Sequence, residues 1–162
     1  MNLFEMRKRT NYLSAGGKKM KYTIDETQTL SPLHRSANGS IRLIPGERAT
    51  VKDILDFLPE LDIWGFRCYG DAKHRELRAK LLNPDALGGL SQANVERLHN
   101  WLCSFHASHR WKHRSYALKH TFERETGTYM MNGAFIVCVL MAGFEIQIDG
   151  PSALMKMQRT GP

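Results

Sequence analysis

The strongest constraint in this chain of 162 residues is a nine-residue apolar run, residues 134–142 (AFIVCVLMA), with Gly133 before it and Gly143 after it. A helix needs roughly 20 apolar residues to cross a bilayer, so this run is far too short to span one. A segment of Phe, Ile, Val, Leu and Met without a polar stripe belongs in a core, covered on every side. Two conformations compete for it. Asn132-Gly133, between residues 129–131 and 135–137, is the strongest short hairpin signal in the chain, and Ile136 and Val137 are β-branched. Against this, Asn132 can cap a helix that Gly143 closes at C′, favoured by Ala134, Leu140, Met141 and Ala142. The side chains favour the helix.

Other elements follow from spacing. Thr50 precedes Val51, Ile54, Leu55 and Leu58 in an i, i+3, i+4, i+7 series, with Asp53 completing a variant capping box and Pro59 as the stop. Asp71 is expected to cap a second helix that ends at Asn83-Pro84. Ser91 is the N-cap of a third, with Val95, Leu98, Trp101, Leu102 and Phe105 facing inward, and a fourth covers about 115–125 with Leu118 and Phe122 inward. Residues 25–49 read as an extended lead-in with at most one short strand at 41–44. Residues 63–69 read as an aromatic strand, and 144–148 alternates as a strand turned by Asp149-Gly150-Pro151. Residues 154–157 form a short strand or a helical turn. The expected fold is α+β: a mainly helical single domain with a few short strands over 25–162, after a flexible basic N-terminal arm at 1–24.

Net charge is +7, which excludes an acidic mimic of a nucleic-acid backbone and favours a negatively charged partner. Its distribution says more than its total. Residues 1–24 hold six basic side chains and one acid, clustered as Arg7, Lys8, Arg9 and Lys18, Lys19, Lys21 around Ser14-Ala15-Gly16-Gly17. This arm is either a phosphate-gripping tail, a solubilising tail, or a leader upstream of a later start at Met20. Residues 47–62 carry five acids and two bases. Residues 99–124 carry five bases, one acid and five of the seven histidines.

His99, His106, His113 and His120 recur every seven residues, with His109 between them and Cys103 four after His99. Imidazole and thiolate suit zinc or copper. Against a metal, residues 107–110 lack an apolar stripe, so a single helix breaks there, and interleaved cations repel a divalent ion. No metal and no cofactor is expected. Cys68, Cys103 and Cys138 are odd in number and form no CxxC pair, which points to a reducing, cytoplasmic setting. Neither a secretory signal nor a membrane span is expected. No catalytic motif stands out either: Cys103 near His99 or His106 has nothing to supply an oxyanion pocket, and no acidic cluster resembles a nuclease centre. A helix-turn-helix over 115–142 fails because its recognition helix would be almost wholly apolar.

What remains is a basic, aromatic segment. Arg110, Lys112, Arg114, Lys119 and Arg124 interleave with Trp111 and Tyr116, cations for phosphates beside flat rings for bases. Trp101 and Phe105 read as core. The candidate contacts are therefore Arg110, Trp111, Lys112, Arg114, Tyr116, Lys119 and Arg124, with Arg7, Lys8 and Arg9 in the arm.

Residues 115–144, SYALKHTFERETGTYMMNGAFIVCVLMAGF, resemble a pattern in small accessory proteins of phages, plasmids and integrated elements. The matching positions are Ser115, Tyr116, Leu118, Lys119, His120, Glu123, Tyr129, Asn132, Gly133, Phe135, Ala142, Gly143 and Phe144. The resemblance implies a mobile genetic element, where small proteins often manage host defence, and it carries no catalytic residues with it. The expectation is a non-enzymatic accessory protein that binds nucleic acid. The alternative is an anti-defence inhibitor of anti-CRISPR type, binding a host effector protein or its guide or target strand. The oligomeric state stays open.

Overall fold

A computed structural model describes residues 11–15, 18–22, 31–66 and 70–161. The chain forms two compact units, Met1–Leu30 and Ser31–Pro162. In the first unit, β1 (Asn11–Ala15) pairs antiparallel with β2 (Lys18–Tyr22), Ala15 opposite Lys18, so backbone pairing lies within the segment read as an arm. Arg7, Lys8 and Arg9 lie outside the described residues.

The second unit is an α+β domain. Its strands are β3 (Leu33–Arg35), β4 (Ser40–Leu43), β5 (Leu61–Asp62), β6 (Gly65–Phe66), β7 (Phe105–Ala107), β8 (His113–Arg114), β9 (Ile146–Asp149), β10 (Ser152–Met155) and β11 (Met157–Arg159). Its helices are α1 (Val51–Phe57), α2 (Asp71–Leu82), α3 (Gln92–Leu102), α4 (Ser115–Thr126) and α5 (Asn132–Met141).

Side-chain caps start α1 and α3 where the sequence places them. Thr50 Oγ1 accepts from the Asp53 amide at 3.2 Å, while Asp53 Oδ2 accepts from the Thr50 amide at 2.8 Å, a complete capping box. Ser91 Oγ accepts from the Asn94 amide at the start of α3. In α2 the cap is Gly70, and Asp71 is the first helical residue, where its carboxylate still complements the helix dipole. The apolar run is α5, a helix and not a hairpin, with Met131 at the N-cap and Asn132 already inside. Every residue from 132 to 140 is buried, because α1, α3, α4, β4 and β6 surround the helix.

The five-stranded antiparallel sheet runs β3-β4-β9-β10-β8, with Ile41 opposite Ile146, Ala153 opposite Ile148 and Leu154 opposite Arg114. Separately, β11 pairs with β7 and β5 with β6. The expected single strand over 63–69 is instead the β5–β6 hairpin with its turn at Ile63-Trp64, and residues 67–69 lie outside the described residues. The lead-in holds two strands, β3 and β4, where one was expected. Phe105, expected on α3, falls in β7, yet it keeps its place in the core 4.7 Å from the Trp101 ring.

Asn132-Gly133 proves to be a docking point. Asn132 Nδ2 donates to the Trp64 carbonyl at 3.0 Å, and the Gly133 amide donates to the Ile63 carbonyl at 3.1 Å. A Cβ at position 133 would sit 1.8 Å from the Asp62 carbonyl oxygen, so only glycine lets the β5–β6 hairpin approach α5.

Candidate nucleic-acid interface

Strand pairing turns the basic segment into an edge. The Lys112 amide donates to the Met155 carbonyl, the Ser108 amide to the Lys156 carbonyl, and Arg159 stands opposite Phe105. Residues 105–114 therefore lie alongside 154–159, and two cations that sequence reading missed, Lys156 and Arg159, join the set. Their signal in the sequence was faint: the last strand, β11, is three residues long.

Each candidate has a definite place. Arg110 is exposed between β7 and β8. Trp111 is half-buried, with Lys156 Nζ 4.5 Å from its ring centroid. Lys112 is exposed and donates to Gln158 Oε1. Arg114 caps α4 and pairs with Asp149 at 2.9 Å. Tyr116 is 54% exposed. Arg124 is exposed near the end of α4, with Thr121 Oγ1 3.4 Å away. Lys119 differs from its neighbours: its side chain is 5% exposed and pairs with Glu123 at 2.7 Å, so it offers nothing to a phosphate.

Acids temper this edge. Glu125 takes both Arg159 guanidinium nitrogens at 2.7 Å and the Trp101 indole N–H at 2.7 Å. The Arg159 bonds first, and the indole second, hold its carboxyl down to about 2. Lys156 also pairs with Glu145 at 3.0 Å. Burial, then Lys112, depresses the pKa of His113, so this histidine gains its charge only below the usual range and adds little to the edge in mild acid.

The histidine row does not converge. His99 lies on α3, His106 on β7, His113 on β8 and His120 on α4, and among the described residues no three His, Cys, Asp or Glu gather around a possible metal position. Nor does any helix among them have the length and apolarity to cross a membrane. Clefts are also present among the described residues. One, of about 390 Å³, adjoins the basic edge through Ser108, Glu145 and Lys156 and adds Arg42. Another, of about 720 Å³, lies between α3 and α5 under Arg48, Glu96, His99 and Asn100, and shares no residue with that edge.

No protein-family model, curated protein or solved structure matches the chain.

Proposed function

We propose that the Ser31–Pro162 unit is a nucleic-acid-binding accessory protein of a mobile element, gripping phosphates along the β7–β11 and β8–β10 edge. One observation supports this reading: strand pairing brings the segment with Arg110, Lys112 and Arg114 alongside the segment with Lys156 and Arg159, far apart in sequence. Arg110 and Lys112 have no carboxylate partner among the described residues, which leaves them open to phosphate oxygens.

A salt-titrated gel shift with single- and double-stranded probes tests it. Binding should weaken steeply between about 50 and 200 mM salt, with a log–log slope of about −3 to −5 on duplex if most of these cations reach phosphates. The absence of any shift at low salt sinks the proposal.

A protein partner is favoured by a different observation. Arg114, Lys156 and Arg159 each already hold a carboxylate, which reduces the charge open to a phosphate. Under that reading the protein is an anti-defence inhibitor lying against an acidic effector surface. It would associate tightly with one protein and leave free probes unshifted.

A further inference from the structure

Tyr116 and Tyr129 are 54% and 46% exposed, yet both rings are held from within. Lys119 Nζ lies 5.3 Å from the Tyr116 ring centroid and 5.5 Å from that of Tyr129. Glu123 anchors this lysine at 2.7 Å, and the same carboxylate oxygen accepts from the Met130 amide at 3.1 Å, fixing the backbone beside Tyr129. Its other oxygen faces His120 Nδ1 at 2.8 Å, and the His120 ring meets Tyr116 edge-on at 4.4 Å. Beneath Tyr129 sits Gly88, where a Cβ would come within 2.6 Å of the ring carbons.

This is an expensive way to support two surface rings. Burying a lysine and half-burying its carboxylate costs desolvation, and an apolar pair of similar volume would serve the core as well. What the ion pair does supply is orientation: two tyrosines set in place before any ligand arrives, so little side-chain entropy is lost on binding. Glu123 offsets the charge of Lys119, so the cluster calls for a flat face and not for an anion. The cluster borders the basic edge through Arg114, two residues before Tyr116 and 67% exposed beside its Asp149 partner.

We infer that Tyr116 and Tyr129, propped by the Lys119–Glu123 pair, form a stacking subsite for unpaired bases, and that the protein takes single-stranded nucleic acid in preference to duplex. This rests on the nucleic-acid reading above and names the substrate class for it. A duplex hides its base faces, whereas a single strand presents them to aromatic side chains. Lys119, which by sequence pattern belongs with the phosphate contacts, acts instead as the internal support of the rings.

Fluorescence anisotropy on the full chain at low salt separates the possibilities. The probes are an oligodeoxyadenylate of roughly 12 nucleotides, an abasic strand of equal length and a duplex. Wild type should bind the adenine strand at least tenfold more tightly than the abasic strand. Tyr116→Ala, at an exposed position, should lose about tenfold on the adenine strand and nothing on the abasic strand or the duplex, with an unchanged thermal melt. Equal affinity of wild type for adenine and abasic strands overturns the stacking subsite while the phosphate-binding edge stands. So does an unaffected Tyr116→Ala. Failure to bind any probe overturns both and leaves the two rings to a protein partner.

Discussion

His74 Nδ1 lies 3.0 Å from Asp62 Oδ2, with the two residues 7% and 0% exposed. The other ring nitrogen, Nε2, is 2.8 Å from the Pro59 carbonyl oxygen. Both ring nitrogens thus have an oxygen partner, so the imidazole is fixed between Asp62 and the Pro59 carbonyl. Asp62 Oδ1 in turn accepts from the Trp64 amide at 2.8 Å. Nearby, Arg78 reaches the Leu58 and Leu61 carbonyls, each at 2.9 Å, and also that of Leu55, closing the C-terminal end of α1. One face of α2 thus secures the turn that carries the β5–β6 hairpin to α5.

Asp62→Ala should therefore cost about 1–3 kcal/mol, because it removes the partner of the buried His74 Nδ1 and frees the Trp64 amide. Urea unfolding measures it. A loss under about 1 kcal/mol, the range of an ordinary substitution, would show that the pair contributes nothing special.

Gly133→Ala should be at least as damaging, costing about 3 kcal/mol or more, since the added methyl meets backbone and not a movable side chain. The expected result is insoluble protein or a melting temperature lowered by more than about 8 °C. Gly39→Ala offers a contrast: a Cβ there meets nothing within 4 Å, so only the strain of its positive φ remains.

Acid should loosen the fold through its bridging carboxylates. Arg159 and then Trp101 hold Glu125 at about 2, against an ordinary value of 4.5. Burial opposes ionisation of Glu123, but bonds from Lys119, the Met130 amide and His120 outweigh it and leave that carboxyl low as well. A carboxyl with a depressed folded-state pKa stabilises above its unfolded value, and that contribution disappears as pH falls through the folded one. Melting temperature should thus decline from pH 4.5 toward about 2, and Glu125→Gln should flatten the decline. An identical slope in the variant would remove Glu125 from the account.

Thiol chemistry gives a fourth check. Burial pushes the Cys138 thiol up to about 12, while Cys103 is exposed at the end of α3. The thiolate is the reactive form, so at pH 8 an alkylating reagent should modify Cys103 readily and Cys138 only on unfolding. Mass spectrometry of the native and denatured protein distinguishes the two sites. Rapid native labelling of Cys138 would contradict the packing around α5.

Much of the helical framework was legible in contiguous residues. The Thr50–Asp53 box, Ser91 as a cap and the unbroken apolar run of α5 each encode their structure within a few positions, where capping bonds and burial act on neighbours. The short strands were not legible. β8 is two residues and β7 and β11 are three each, too brief for any periodicity, and they exist only because 105–114 and 154–159 find each other across the chain.

The candidate site divides the same way. Arg110, Lys112, Arg114 and Tyr116 were visible as a run of cations and a ring, and all four are exposed. Lys119 and Glu123, four residues apart, look like an ordinary surface pair on a helix. Lys119 is buried and Glu123 half-buried because the 127–131 connection folds back along α4 and lays Tyr129 near the lysine, a contact that closes only in the folded chain. Sequence settled the caps of α1 and α3 and which segment lies at the centre, since those depend on local bonds and on hydrophobicity. Tertiary structure alone decided which charges face water, because that depends on what distant parts of the chain place over them.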